Sequence, residues 1–255
     1  ISAGNLRDFV LGARILDGKG QDLSFGGKVM KNVAGYDVSR LLPGSMGTLS
    51  LLLEASVKVL PRPAATTSLR CNITQERALR LLNEWAGQPL PLSASCWIGS
   101  SKGGDGELTI RLAGAVAAVK AAIPLMGAAV NATELDPQVA TEFWATLREQ
   151  QLPVFSKLSS DETLYRLALP AACGPLTLEN TSSEIALEWH GQQRWIKAPG
   201  DDATFEAMKK IASANGGHAT RFKQGANVDS NKQRFTLLSE QAHSTALEAV
   251  QARLR

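Results

Sequence analysis

Apolar residues alternate with polar ones from early in the chain: Phe9 and Leu11 with Val10 beside them, then Ile15 and Leu16, then a Gly18-Lys19-Gly20 turn. A period near two broken by glycine predicts a strand, a turn and a second short strand. Val38 to Leu42 reads as a short helix stopped by Pro43 and Gly44, because proline cannot continue a helix and glycine commonly ends one. Leu49 to Leu60 is an apolar stretch interrupted by Glu54 and Lys58 and predicts a buried strand. The prolines of PRPAA (Pro61 to Ala65) then make a stiff connector, which places a domain boundary between residues 63 and 64.

Beyond the connector the spacing switches repeatedly between strand-like and helix-like. Leu69 to Ile73 alternates as a strand, and Thr74 caps a helix running to Ala86, with Leu79, Leu82 and Trp85 on one face and Gly87 at its end. A threonine hydroxyl satisfies an orphan amide of the first turn, and a glycine readily closes the last. Leu92 to Ile98 and Glu107 to Ala113 form a hairpin about SKGGDG (Ser101 to Gly106). A helix over Ala115 to Met126 and a short strand near Ala129 to Ala132 complete the order βαββαβ, the split arrangement of ferredoxin-like folds.

A looser echo of that order follows: a helix over Asp136 to Gln150, a strand over Thr163 to Leu169, and a hairpin over Glu184 to Ala198 with Gly191 in its turn. Asp201 or Asp202 caps a helix to Ala214, and Gly217 to Lys223 returns as a strand. Residues 224–234 read as a mobile polar loop, and Ser239 to Leu254 as a final helix. The predicted class is α+β with antiparallel sheet and helices on one side.

Composition narrows the function classes. Of 255 residues, 44% are hydrophobic and 20% charged, with a net charge of +3; that balance suits a globular protein and gives no reason to expect nucleic acid as a partner. Cys71, Cys96 and Cys173 lie far apart with no CxxC pair, which argues against a disulfide framework and for a reducing compartment. No apolar run approaches the ~18 residues of a membrane helix, and no signal peptide opens the sequence. The expected address is cytoplasmic, or peripheral to the inner membrane through partner subunits.

Two short stretches carry the candidate chemistry, KNVAGYD (Lys31 to Asp37) and PGSMGTL (Pro43 to Leu49). Glycine lets backbone approach a flat or phosphorylated ligand and adopt positive φ, so the pair suggests a backbone cradle for a cofactor. Read from composition alone, two ordinary turns about a helix fit equally well. Neither a GxGxxG fingerprint between strand and helix nor a phosphate-loop motif occurs. A cradle here would rest on the N–H groups of residues 44–48 and the hydroxyls of Ser45 and Thr48.

Other candidates are weaker. His190, His218 and His243 show no metal-ligand spacing and read as structural or solvated. Asp17 with Asp22, and Glu184 with Glu188, read as solvated strand residues rather than an acid/base pair. The cysteines read as inert packing residues. The five tryptophans read as core or interface. Arg62, Arg221 and Lys223 are of the type that meets a carboxylate substrate or a partner, with a solvated role the simpler reading.

RDFVLGARILDGKG, GGKVMKNVAGYD, LLPGSMGTL and KVLPRP, in this order and spacing, resemble the FAD-linked oxidases of the vanillyl-alcohol-oxidase (PCMH) type, and among them the flavin-binding subunits of glycolate-oxidising complexes. The resemblance is specific over Arg7 to Pro63. It implies that residues 1–63 are the later part of a PCMH-type FAD-binding domain, and residues 64–255 a ferredoxin-like cap with antiparallel sheet. By position, Asn32, Gly35, Tyr36, Asp37, Gly44, Ser45, Gly47, Thr48 and Leu49 are the expected FAD-side residues, with Lys31 beside them. Met46 and Ser50 depart from the Glu and Gly that relatives often carry there. The family's first FAD subdomain, with its pyrophosphate loop, is expected before Ile1, so the chain is expected to hold at most half of the flavin site.

The resemblance further implies an FAD-dependent oxidoreductase subunit that positions the flavin for hydride transfer from a small 2-hydroxy acid. Its expected partners are a paralogous FAD-containing catalytic subunit and an iron–sulfur subunit. The histidine cluster that metal-using relatives carry in the cap is missing, so no catalytic residue is assigned and no metal is expected. The competing expectation is a non-catalytic assembly subunit with an incomplete flavin fold that does not retain FAD.

Overall fold

The computed structural model describes residues 4–27, 36–45, 47–176, 178 and 184–228. They fall into two compact units that divide between Arg62 and Pro63.

The first unit is built on three antiparallel strands, β1 (Val10–Leu16), β2 (Asp22–Gly26) and β3 (Leu51–Val57), in the order β2-β1-β3. The predicted hairpin is present. Its turn is held by the Asp17 carboxylate, which accepts from the N–H groups of Lys19 and Gln21, each at 2.8 Å. Val38–Leu41 is one turn of 3-10 helix. β1 is central and buries Val10, Ala13 and Ile15. β3 differs from the expected buried strand: Leu51, Leu52 and Leu53 are 64%, 51% and 43% exposed. Pairing with β1 at the edge of the sheet satisfies backbone groups, but side chains on a sheet face are buried only by a second layer, and the exposure shows that β3 lacks one among the described residues.

The second unit is an eight-stranded antiparallel sheet. Its strands are β4 (Ala65–Thr74), β5 (Leu92–Ser100), β6 (Asp105–Gly114), β7 (Thr133–Glu134), β8 (Glu162–Ala168), β9 (Glu184–Glu188), β10 (Gln193–Pro199) and β11 (His218–Gln224). The helices are α1 (Gln75–Ala86), α2 (Val116–Val130), α3 (Pro137–Arg148), the short α4 (Pro153–Ser156) and α5 (Asp202–Ala214). The spatial order is β11-β8-β10-β9-β5-β6-β4-β7. Each half follows the split-βαβ order, and the halves meet where β5 pairs with β9. The echo expected from the sequence is therefore a real second half, in which β8, β9, β10, α5 and β11 follow the same order and no first helix is found among the described residues.

Local chemistry accounts for most of these elements. The Thr74 hydroxyl caps α1 by accepting from Arg77 N–H, Asp136 caps α3 and Asp201 caps α5. α2 runs on to Val130, so the strand expected near Ala129 to Ala132 is displaced to Thr133–Glu134. The left-handed Asn131 (φ 50°) ends the helix and makes that turn. Gln224 belongs to β11 rather than to a loop; residues 229–234 and the expected helix Ser239 to Leu254 lie outside the described residues.

Two hydrophobic clusters sandwich the sheet. One joins α1, α2 and α5 to one face through Leu79, Leu82, Trp85, Met126, Phe205 and Met208. The other lies beneath α3 and α4 and contains Leu147, Phe155, Leu164 and Trp195. Trp97, fully buried in the first cluster, donates its indole N–H to Ile73 O at 2.9 Å.

Candidate functional site

Asn32, Gly35, Lys31 and Met46 lie outside the described residues. The remaining expected positions sit together in the first unit, on the segment that connects β2 to β3. Tyr36 is 94% exposed, and its carbonyl accepts from Val38 N–H. Asp37 caps no amide through its side chain; its carboxylate instead accepts from the Ser39 hydroxyl at 3.0 Å and pairs with the Arg40 guanidinium at 2.9 Å.

PGSMGTL folds as two successive tight turns. Ser45 N–H donates to Leu42 O, and Thr48 N–H to Ser45 O, each at 3.0 Å. Gly44 and Gly47 therefore occupy the third position of their turns, with φ of +85° and +77°. Positive φ at the third position is the mark of a type II turn, which favours glycine there and commonly has proline second, as Pro43 is in the first of the two. A Cβ built on either glycine meets nothing within 4 Å among the described residues. The two Cα faces thus open onto unfilled space, as a close backbone approach to a ligand requires.

The same hydrogen bonds limit what the loop can offer. The N–H groups of Ser45 and Thr48 are consumed inside the turns, and the Thr48 hydroxyl donates to Ser45 O at 2.6 Å. The Ser45 hydroxyl and the oxygen lone pairs of Thr48 remain to receive a ligand. Leu49 and Ser50 are half-buried where the loop enters β3, and Ser50 Oγ is buried without a partner. The exposed Gly44 and Gly47 backbone and the Ser45 hydroxyl are the parts of this loop that a flat, polar group such as a dinucleotide could approach.

The titratable groups of the second unit depart from their simplest sequence readings. Glu188 is not solvated: it is half-buried, accepts from the indole N–H of Trp195 and from Gln193 Nε2, and burial holds its pKa above the usual carboxylate range. Arg221 is 5% exposed, pairs with Asp202 at 2.8 Å and stacks over Phe205, beside a cavity of about 450 Å³. Nothing in the spacing of either residue announced burial, because it comes from neighbouring strands. Arg62 and Lys223 are exposed, as the sequence suggested.

His190 is buried with Nε2 unpartnered, and burial lowers its pKa; burial also lowers that of His218, with the Arg166 charge adding to the effect. His243 lies outside the described residues. Burial pushes the Cys71 thiol up to about 11 and Cys96 well above its ordinary value, which keeps both protonated and inert. Among the described residues no group of histidines, cysteines and carboxylates is placed to hold a metal ion.

No family model matches the chain. It is 46% identical over 223 residues to glycolate oxidase subunit GlcE of Escherichia coli (strain K12), a match covering 88% of this chain and 57% of that protein. The chain thus spans little more than half the length of this relative. It is also 44% identical over 66 residues to glycolate oxidase subunit GlcD of Bacillus subtilis (strain 168), covering 26% of this chain and 14% of that one. Among solved structures, xylooligosaccharide oxidase from Myceliophthora thermophila C1 superposes with a TM-score of 0.52 at 15% identity, covering 87% of this chain and 57% of that enzyme. Alkyldihydroxyacetonephosphate synthase gives 0.51 at 13% identity, covering 84% and 50%. The resemblance carried by the two glycine loops therefore holds: the chain is a relative of the glycolate oxidase subunit GlcE and has the mixed, antiparallel-sheet fold of these solved enzymes.

Proposed function

We propose that the chain is the flavin-binding part of a subunit in a complex that oxidises a small 2-hydroxy acid, glycolate being the simplest. The observation that supports this best is the double turn of residues 43–48, with left-handed Gly44 and Gly47 facing open space, in a chain 46% identical to a glycolate oxidase subunit. Residues 1–63 would supply the cofactor side and residues 64–255 the cap. Tyr36, Asp37, Gly44, Ser45, Gly47, Thr48 and Leu49, with Asn32 and Gly35, would line one side of the FAD. When bound, the flavin would supply the hydride acceptor for the 2-carbon of the acid.

This chain's own share is to hold and orient. The glycine faces admit the cofactor, the Ser45 hydroxyl offers a donor, and the apolar side chains of Leu51, Leu52 and Leu53 offer a surface to be covered. Electrons would leave through an iron–sulfur partner, in keeping with cysteines that are scattered in sequence and, at Cys71 and Cys96, buried. A paralogous FAD-containing subunit would carry the chemistry at the acid. No helix among the described residues is long and apolar enough to cross a membrane.

The absorbance spectrum of the purified protein tests this reading. A flavin band is expected once the remainder of the FAD domain is supplied, and Gly47→Val should remove most of it, since the side chain both occupies the ligand's space and strains a backbone at φ +77°; a melt that stays cooperative shows that the fold survives. Bound flavin unchanged by Gly47→Val would show that residues 43–48 are not the contact. No flavin under any condition would favour the assembly-subunit reading, which the exposed face of β3 also suits.

A further inference from the structure

The face of the second sheet that carries α3 and α4 is only partly covered. Trp144 of α3 donates its indole N–H to Ser68 Oγ over β4, and α4 sets Phe155 edge-on to Trp195 at 5.4 Å. Uncovered at the other end of this face is a group of polar residues around Ala168. Strand register places them: Gln193 and His218 flank Ala168 from β10 and β11. Arg166, two residues before it on β8, pairs with Trp195 on one side and Thr220 on the other. Alternation along the strands puts Arg166, Ala168, Gln193 and His218 on one face, and diagonal neighbours of this kind lie about 7–8 Å apart at Cα. The smallest side chain of the group, Ala168, lies between Gln193 and His218 in the register, and all four residues are at least partly exposed on this face.

The polar atoms here are unevenly matched. The Arg166 guanidinium is half-buried, lies 5.9 Å above the Phe222 ring, and makes no ion pair or side-chain hydrogen bond among the described residues. Gln193 gives Nε2 to Glu188 at 3.2 Å, which turns its amide oxygen away from that carboxylate. The same carboxylate accepts from the buried Trp195 indole, so Glu188 and Trp195 lock the orientation of the Gln193 amide. His218 keeps an exposed edge; partial burial, with the Arg166 charge adding to it, lowers its pKa and favours the neutral imidazole, which has a ring nitrogen able to accept. A partly desolvated guanidinium with no counter-ion among the described residues is suited to receive an anion. An oriented amide oxygen beside it calls for a hydroxyl donor.

We propose that Arg166, Gln193 and His218, around Ala168, form a binding site for a small 2-hydroxy monocarboxylate, with the carboxylate on Arg166 and the hydroxyl donating to the Gln193 amide oxygen. Glu188 is a positioning residue that fixes Gln193. The site needs neither metal nor histidine cluster. It rests on the proposed function only for the choice of acid, since the cation and the oriented amide stand on the structure of the second unit.

Titration of the flavin-free protein with glycolate, followed by the Trp195 indole N–H resonance in NMR spectra, tests the site independently of any cofactor. Glycolate should shift that resonance saturably, and acetate, which lacks the hydroxyl, should bind several-fold more weakly. Arg166→Met should weaken glycolate at least about tenfold, with Arg166→Lys retaining most of the affinity. Gln193→Leu should abolish the preference for glycolate over acetate, an effect that damage to the fold alone would not produce. A Trp195 resonance indifferent to glycolate, or an affinity unchanged by Arg166→Met in a protein that still melts cooperatively, overturns the proposal. Glycolate binding with flavin absent under every condition would instead refute the flavin reading and leave this site standing.

Discussion

The two units bury their apolar residues to very different degrees. In the second, Leu108, Leu112, Leu164, Leu167 and Trp97 are all fully buried, between helices on one face and α3 and α4 on the other. In the first, an equally apolar strand, LLLEASV, leaves every residue but Ser56 exposed. Composition does not separate them; the number of layers does. A sheet hides apolar side chains only when a second layer covers it, and at about 25 cal/mol per Å² the uncovered area is a standing drive toward association. The second unit is a finished fold, whereas the first offers a surface and a pair of open glycine turns.

Substitutions that probe burial should separate the units most sharply. Trp97→Ala removes a fully buried indole and its hydrogen bond to Ile73 O, and should cost about 3–5 kcal/mol in urea unfolding. Leu52→Ala, at a half-exposed position, should cost less than about 1 kcal/mol. Equal losses would mean that β3 is covered in solution.

Gly191 comes next. It has φ +84°, and a Cβ there would strike the Leu79 side chain, whereas the Gly44 face is open. Gly191→Ala should therefore lower stability by about 2–3 kcal/mol, and Gly44→Ala by about 1 kcal/mol from backbone strain alone. Thermal melts of the two variants check the difference.

A smaller effect is the removal of a helix cap. Thr74→Ala leaves Arg77 N–H without its acceptor and should cost about 1 kcal/mol.

The pH dependence is smallest and has a definite sign. Burial raises the folded-state pKa of Glu188, so its favourable contribution is complete below the unfolded value of about 4.3 and is lost as pH rises through the folded value. Glu188→Gln, which keeps an acceptor for Trp195, should flatten that part of the stability profile. His190 runs the other way. Its folded pKa is lowered by burial, so its contribution is present above about pH 6.5 and fades as pH falls through the folded value. Denaturation midpoints followed across pH for wild type and Glu188→Gln would show whether the two slopes separate.

Much of this architecture was legible in the sequence because its determinants are local. The α1 cap at Thr74, the hairpin turn within Ser101 to Gly106 and a cap at Asp201 or Asp202, resolved as Asp201, each follow from a few adjacent residues with one good conformation. The order βαββαβ followed from the alternation of periods, and the candidate loops could be named because glycine, proline and serine there leave few alternatives.

Tertiary structure decided what depends on distant strands. Leu49 to Leu60 looked like a buried strand because apolarity shows that a segment seeks cover, not whether cover is present; the exposure of β3 in the folded unit settled that. The end of α2 at Asn131 moved a strand by several residues through one left-handed backbone angle. Glu188 and Arg221 looked solvated because burial of a charge is set by neighbours far along the chain. The grouping of Arg166, Gln193 and His218 about Ala168 exists only through the registers of β8, β10 and β11. The sequence by itself determined the turns, the caps and the glycine faces; pairing in the folded sheet alone decided which charges lie side by side.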